Sequence, residues 1–326
     1  MVVHSNTKEL QMLYKYRILN KRSLAMVLRP QLYFAPPASL NDPLEVDALL
    51  HIDGTKQQVV DHLTEYRQAT LDNLSIERQS FVPIRVLLAA GDISLHAIYH
   101  RKLTRVYELE KRVLHAESMI QEARDGTQMH ALVQLRGFYD QVLKPLRSSA
   151  ICSLAGNPDN ELMWAHYANE HRGICFEFDP SLFTRNKKVI ERKVTYSRDG
   201  IVDVFQYGYR ATFNLLFSMK STAWKYENES RFFIYGDPRL EEVSHRALKS
   251  VILGYRFYSI EGLSEKALRI QRAQVGELRS NIQAINKSRQ KGMKLKIMRI
   301  ERKLYSFVPQ IYETGQELDK MRAFSE

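Results

Sequence analysis

Trp224-Lys225-Tyr226-Glu227-Asn228-Glu229-Ser230-Arg231 runs directly into Phe232-Phe233-Ile234-Tyr235, and this stretch decides how the chain is read. Its second part is aromatic and β-branched and is closed by Gly236-Asp237, so Arg231 to Tyr235 reads as a strand. Glu227 and Glu229 stand two residues apart at its entrance, and if extended geometry begins early both side chains face the same way. Two like-facing carboxylates raise each other's pKa and are costly to hold unless something cationic or hydroxylic binds them. The pattern predicts a site, with a solvated turn of surface Glu and Arg as the plain alternative.

Working outward, Ile174 to Phe178, Val189 to Tyr196, Val251 to Leu253 and Ser148 to Leu154 have the same strand character, and together they imply one sheet. Asn157-Pro158-Asp159-Asn160 turns into a helical stretch, Glu161 to Glu170, that stops near Gly173. Upstream, the tyrosine-rich Leu13 to Arg17 leads to Asn20, a helix cap for Ser23 to Leu28, then to a break at Pro30 and a strand at Gln31 to Ala35. Between them, from Thr55 to Leu146, Val59, Leu63, Tyr66, Leu103, Val106, Tyr107, Leu109 and Val113 recur mostly at three- and four-residue steps. This is a helical block, and its His96, His100, His115 and His130 read as surface or packing residues. Ser264 to Arg289 is again helical, and Lys294 to Ile300 mixes basic and apolar residues as an exposed or edge strand does. The expectation is an α+β fold with a central mixed or split sheet and a large helical insertion. Its parts are residues 1–54, a helical insertion over 55–147, and 148–326.

Composition narrows the class. The 326 residues are 44% hydrophobic, enough for a sizeable core, and 48 Lys or Arg against 37 Asp or Glu give a net charge of +11. That balance favours negatively charged partners. Twelve Lys or Arg against three Glu fall between Glu265 and Lys303. Such a stripe can grip phosphates, but it has neither the interleaved aromatics of a single-strand binder nor a helix-turn-helix, so it reads first as a solvated basic face. Cys152 and Cys175 cannot make a disulfide framework or close a structural zinc site, which predicts a reducing, cytoplasmic setting. The polar N-terminal residues and the short apolar runs predict no signal peptide and no membrane span. A Gly-rich phosphate loop, a Gly-x-Ser-x-Gly elbow and a His-Glu-x-x-His pair are all missing from the sequence. His166 and His171 lie five apart, about 140° around a helix, and cannot chelate one ion from one face.

Three more clusters carry chemistry-bearing side chains. In Tyr14-Lys15-Tyr16-Arg17, strand alternation puts the tyrosines on one face and the cations on the other. Leu32-Tyr33-Phe34 is followed by Asn41-Asp42-Pro43-Leu44-Glu45, whose Asn and Asp can fold a loop onto its own backbone. In Met163-Trp164-Ala165-His166-Tyr167-Ala168, helical spacing brings Trp164 and Tyr167 to one side as an aromatic wall beside an imidazole, with core packing of the Trp as the alternative.

In this order the four clusters resemble a large bacterial family of unknown function marked by Tyr-x-Tyr-Arg, Leu-Tyr-Phe with Asn-Asp-Pro, Trp-x-His-Tyr-Ala and Trp-x-Tyr-Glu-x-Glu-x-Arg. The element order is also similar to the ADP-ribosyltransferase superfamily, and Glu227-Asn228-Glu229 resembles its Glu-x-Glu. Ser221-Thr222-Ala223 matches that superfamily's Ser-Thr-Ser only in part. The resemblance implies a bacterial toxin or phage-defence effector that uses NAD as a substrate and modifies a protein or nucleic-acid acceptor. Glu229 would then bond the 2′-hydroxyl of the nicotinamide ribose and stabilise an oxocarbenium-like transition state, while Glu227 would orient or deprotonate the acceptor. Tyr14, Tyr16 and Arg17 would hold NAD, Trp164 or Tyr167 would stack on the nicotinamide, and His166 would touch ribose or phosphate.

Two other classes stay open. Glu191-Arg192-Lys193, with Glu177 and Asp179 upstream, has the residue types of a magnesium-dependent nuclease, two carboxylates and a lysine around a metal and a phosphate. A non-enzymatic binding module is the third reading, and exposed apolar positions on the helical block would favour it.

Overall fold

The computed structural model describes residues 11–40, 42, 49–89, 96–182, 189–288, 294–303, 306–313 and 316–326. In chain order the elements are β1 (Leu13–Arg17), α1 (Lys21–Leu28), β2 (Gln31–Phe34), β3 (Leu49–His51), α2 (Lys56–Ala89), α3 (His96–Asp125) and α4 (Gln128–Arg147). There follow β4 (Ser149–Ala155), α5 (Glu161–Tyr167), β5 (Ile174–Phe178), β6 (Ile190–Lys193), β7 (Thr195–Ser197), β8 (Ile201–Asp203), α6 (Val204–Ser218), β9 (Met219–Ser221) and β10 (Glu229–Tyr235). The last are β11 (Arg239–Glu242), β12 (Leu248–Leu253), α7 (Glu265–Ser288), β13 (Lys294–Lys303), β14 (Ser306–Glu313) and α8 (Glu317–Ser325). They form two compact units, one of Met1–Pro43, Ser148–Tyr196 and Lys220–Glu326, the other of Leu44–Arg147 and Ser197–Met219.

The first unit is an α+β structure around an eight-stranded sheet, ordered β14-β13-β12-β5-β1-β4-β10-β6. Its neighbouring strands pair antiparallel except β12 with β13, which are parallel, so the sheet is mixed. One sheet face is apolar: Phe176, Phe178, Val251, Cys152 and Phe232 pack with Leu24 and Val27 of α1, Leu278 and Ile282 of α7 and Met321 of α8. Asn20 starts α1 by capping the Ser23 amide while the Ser23 hydroxyl returns to Asn20.

On β4 the partnering is uneven. All seven residues pair with β10, from Ala155↔Glu229 to Ser149↔Tyr235. On the other side β4 meets β1 at Tyr14↔Ala155, while Ala35 takes Ile151. The sheet opens between these two points. There the Ser153 carbonyl accepts a hydrogen bond from the Lys15 ammonium, a side-chain substitute for a ladder bond, as a buried carbonyl requires.

Several elements differ from their sequence reading. Lys294 to Ile300 is not an edge: β13 lies between β12 and β14, with Leu295 and Ile297 buried, and β14 takes the edge. The Val189 to Tyr196 stretch is divided into β6 and β7. Helix α5 ends at Tyr167, short of Glu170, because Asn169, Glu170 and His171 take left-handed backbone at φ +48°, +51° and +67°. Gly173 is needed for close approach instead of for a left-handed cap, since a Cβ there would lie 2.3 Å from the Arg17 carbonyl oxygen and 2.8 Å from that of Ala168. Asn41, Pro43, Leu44 and Glu45 of the second cluster lie outside the described residues, and Asp42 is buried.

The second unit is built on α2, α3, α4 and α6 with a parallel pair, β3 and β8. Val59, Leu63, Leu109 and Val113 are buried at the spacing read from the sequence, and His100, His115 and His130 are exposed. Buried His62 meets the Tyr139 hydroxyl at 2.6 Å. Among the described residues no helix is long and apolar enough to cross a membrane.

The Gly173 contacts set a stability test. Gly173→Ala forces the Arg17 backbone and the α5 turn apart and is expected to destabilise by roughly 1–3 kcal/mol, the usual range for an overfilled site. Urea unfolding of the parent and the variant measures this, and an unchanged midpoint would refute the close approach.

Candidate functional site

The second face of the sheet is polar. Cross-strand register aligns Ser250, Glu177, Tyr14, Ala155 and Glu229, each paired with the next, so these side chains share one face. Helix α5 packs on this face through Trp164 and Met163, against Tyr16, Cys175 and Ile252. Asn160 fixes it there, capping the Met163 amide at 3.2 Å through Oδ1 and donating through Nδ2 to the Tyr226 carbonyl at 3.0 Å.

Glu227 closes the short 3-10 turn Thr222–Glu227, at whose start the Ser221 hydroxyl accepts from the Ala223 amide. Asn228 follows at φ +44°, a left-handed step that Asn tolerates better than most residues. After it Glu229 enters β10. The step aims both carboxylates at Lys220 of β9, whose Nζ is 2.6 Å from Glu227 Oε2 and 2.8 Å from Glu229 Oε2. The sequence reading asked for a cationic or hydroxylic partner for this pair, and Lys220 supplies a cation shared by both carboxylates. Arg231 Nε donates to Glu229 Oε1 at 3.1 Å, and the Tyr167 hydroxyl donates to Glu227 Oε1 at 2.7 Å. The Ser153 hydroxyl also bonds Glu229, while the Glu229 amide donates to the Tyr196 hydroxyl at 2.9 Å. Lys220, Glu227, Glu229 and Arg231 are all buried.

Burial pushes the Glu229 carboxyl up, but the Arg231 guanidinium and then the Lys220 ammonium outweigh it and draw the group down to about 2. Glu229 is therefore a permanent anion at neutral pH. It is able to stabilise developing positive charge or to accept a hydroxyl proton in a hydrogen bond.

Partly exposed aromatic rings stand beside this cluster. Lys220 Nζ lies 5.2 Å from the Trp224 ring centroid, within cation–π range. Trp224 and Tyr226 are 6.1 Å apart, and the exposed His166 is 6.3 Å from Tyr226. The rings lie next to buried charge, and such a surface suits a flat ligand with polar substituents.

The other predicted residues are distributed as follows. Trp164 is fully buried, edge-on to Tyr16 at 5.2 Å, with its indole N–H on the Pro158 carbonyl at 2.8 Å, so it belongs to the core and the open aromatic surface falls to Tyr226, Trp224 and His166. Tyr16 is likewise buried, its hydroxyl on the Asn157 carbonyl at 2.7 Å. Tyr14 shares the polar face but donates to Glu177 at 3.3 Å, beside Lys296, which holds both Glu177 oxygens at 2.8 and 3.0 Å. Arg17 pairs with Ile174, whose side chain belongs to the apolar face, so Arg17 stands on the side of the sheet away from Glu229.

The nuclease constellation is not assembled. Three strands separate β5, with Glu177, from β6, with Glu191 and Lys193, a span of roughly 19 Å at the usual strand spacing. Glu191 also pairs with Phe232, on the opposite face to Glu177. Asp179 is occupied by Ser181 and Lys249. Among the described residues no group of three or more His, Cys, Asp or Glu is placed to hold a metal ion.

Sequence reading did not single out Lys220, Tyr196 or Ser153. A signal for Lys220 existed: it is the only charged residue between Arg210 and Lys225. Tyr196 and Ser153 offered none, since their partner is reached only through strand pairing.

Residues 163–232 match the family described as protein of unknown function (DUF2971). The matched segment runs from α5 into β10 and so includes Tyr167, Lys220, Glu227, Glu229 and Arg231. No curated protein and no solved structure matches the chain.

Two outcomes follow from the buried charges. Lys220→Met leaves two carboxylates facing each other without their shared cation and is expected to cost roughly 3–5 kcal/mol in denaturant unfolding. A loss under 1 kcal/mol would show the cluster to be solvated. Because the Glu229 carboxyl is depressed from 4.5 to about 2 in the folded protein, its stabilisation is complete above 4.5 and is lost as pH falls through about 2. The stability gap between the parent and Glu229→Gln should accordingly narrow across that window, and a gap independent of pH there would contradict the assignment.

Proposed function

We propose that the α+β unit binds NAD at the Glu227–Lys220–Glu229 cluster and transfers ADP-ribose from it. The observation that carries this reading is the convergence of two buried carboxylates beside the partly exposed rings of Tyr226 and Trp224 and the exposed ring of His166. The donor set fits a ligand that combines a flat ring with ribose hydroxyls. Glu229 holds the 2′-hydroxyl of the nicotinamide ribose and its fixed negative charge offsets the positive charge that builds at C1′. The C1′–N bond breaks, nicotinamide leaves with the bonding pair, and the acceptor's oxygen or nitrogen attaches to C1′ as its proton passes to Glu227. Tyr167 orients Glu227 through its hydroxyl bond. Lys220 holds the two carboxylates together until the ligand arrives and stays beside Glu227 afterwards.

The opposed reading, a partner-binding module, draws on the helical unit, where Ile76, Leu114, Met129 and Val133 are 62–69% exposed. One experiment separates them. The purified protein, Glu229→Gln and Tyr226→Ala are incubated with NAD in EDTA, with folding checked by circular dichroism and NAD binding followed by saturation-transfer NMR. The expected result is nicotinamide release by the parent, a drop of at least 100-fold in Glu229→Gln with NAD still bound, and weaker NAD binding by Tyr226→Ala. No binding and no release by the folded parent would end the transferase reading.

A further inference from the structure

Helix α7 carries a line of cations with few counter-charges. At about 100° per residue, Arg269, Arg272, Arg279 and Lys287 fall within one sector of about 80°. Buried Val275, Leu278, Ile282 and Ile285 occupy a separate sector turned to the core. Arg269, Arg272 and Lys287 are exposed. Arg269 has one loose partner, Glu265 at 3.7 Å, between side chains 83% and 91% exposed, and a pair so open contributes little. Among the described residues Arg272, Arg279 and Lys287 have no carboxylate partner, and the buried Nε of Arg279 has no hydrogen-bond acceptor. Helix α1 packs on another flank, through the Asn281 amide on the Leu24 carbonyl, about 120° or more around α7 from these cations, and the end of α8 touches their sector at Gly276, where a Cβ would lie 3.4 Å from Ser325 Cβ.

We propose that the exposed cations of this face of α7, on either side of the α8 contact at Gly276, are a docking surface for the phosphate backbone of double-stranded nucleic acid, read without regard to sequence. From Arg269 to Lys287 the helix rises about 27 Å, and a duplex offers about one phosphate charge per 1.7 Å of axis, so it meets cations at any spacing along that line. Three features select this partner. The sequence of α7 holds no aromatic residue to stack on splayed bases, which disfavours a single strand. Its apolar sector is committed to the core and Ile270 is its one exposed large apolar residue, so it cannot seat in a lipid surface as an interfacial helix does. The cations are one-signed in their sector apart from Glu265 at its start, which suits a uniform polyanion better than a folded protein of mixed charge. The inference does not rest on NAD chemistry and is testable whether or not NAD is cleaved.

The test is fluorescence anisotropy with a labelled mixed-sequence duplex of about 20 base pairs, the full-length protein and a salt series. Arg269→Ser with Arg272→Ser and Lys287→Ser removes three exposed cations from the face. Arg101→Ser with Arg112→Ser and Arg136→Ser, exposed on the helical unit, removes the same charge elsewhere. Circular dichroism confirms that both are folded. The α7 variant should bind at least tenfold more weakly at about 0.1 M salt, with a salt slope smaller by about 2.7 for three phosphate contacts, while the control stays within twofold of the parent. Equal weakening of both variants would reduce the effect to net charge and overturn the proposal. So would a parent that does not bind the duplex, or one that binds vesicles of anionic lipid or a polyglutamate chain as tightly.

Discussion

The Lys220 ammonium, set between Glu227 and Glu229, is the interaction on which the surrounding geometry depends. Each of these ions gives up several kcal/mol of hydration when buried, and that loss is offset only where partners sit at hydrogen-bond distance. The cluster allows little tolerance, and the backbone around it is shaped to suit. Asn228 takes a left-handed conformation so that residues two apart can converge on one amine. Gly156, just after β4, leaves room for Asn228, since a Cβ there would lie 2.4 Å from the Asn228 side-chain Nδ2 and 2.8 Å from its backbone carbonyl oxygen. Tyr196 accepts the Glu229 amide at the point where β10 begins. Each feature is plain once the buried charges are taken as the requirement and the backbone as the response.

The same reasoning explains why the two sheet faces differ. Apolar side chains of α1, α7 and α8 can cover one face by area burial alone, which needs no directional contacts. The opposite face carries Glu177, Tyr14 and Glu229 in one cross-strand row, and each requires a specific partner: Lys296 and Ser250 for Glu177, Lys220 and Arg231 for Glu229. Between them lies the opening beside β4, where the Lys15 ammonium takes the Ser153 carbonyl and the Ser153 hydroxyl takes Glu229. The amine is held down to about 8 by burial, with Arg17 adding to the effect against Cys152 and the carboxylates. Ser153 thereby ties the first strand of the chain to the carboxylate of a strand more than two hundred residues later.

Legibility in the sequence followed the range of the interaction. Strands β1, β4, β5, β10 and β12 and helices α1 and α7 were readable because alternation, helical spacing, caps and turn residues are local. The carboxylate pair was readable for the same reason, being two residues apart. Lys220, seven and nine residues away across a turn, was not, and β14 was missed because its role as an edge is set by pairing with β13. The end of α5 was misplaced because Gly173 signals a helix stop, whereas the chain leaves the helix earlier through Asn169, Glu170 and His171, of which only Asn is commonly left-handed. Those conformations are imposed by contacts that local sequence does not carry: the His171 amide on the Trp164 carbonyl at 3.3 Å and the Arg256 amide on the His171 carbonyl at 3.1 Å.

A saturated cluster and a catalytic one can share every distance given above, so the difference lies in which partner can be exchanged. Glu229 has two charged partners of unequal standing. Arg231 is wholly buried in the middle of the unit, in a strand paired on both sides, and cannot leave without opening the sheet. Lys220 sits on a three-residue strand beside the partly exposed Trp224 and is held there by flexible methylenes instead of a fixed fork. In the NAD reading a ribose hydroxyl takes over the position of the ammonium at Glu229 Oε2, while Arg231 keeps the other oxygen in place. The released amine stays near Glu227, so the charge of the pair is never left without a counter-ion. Exchange of this kind returns one charge-assisted bond for another and avoids the larger cost of exposing an unpaired buried carboxylate.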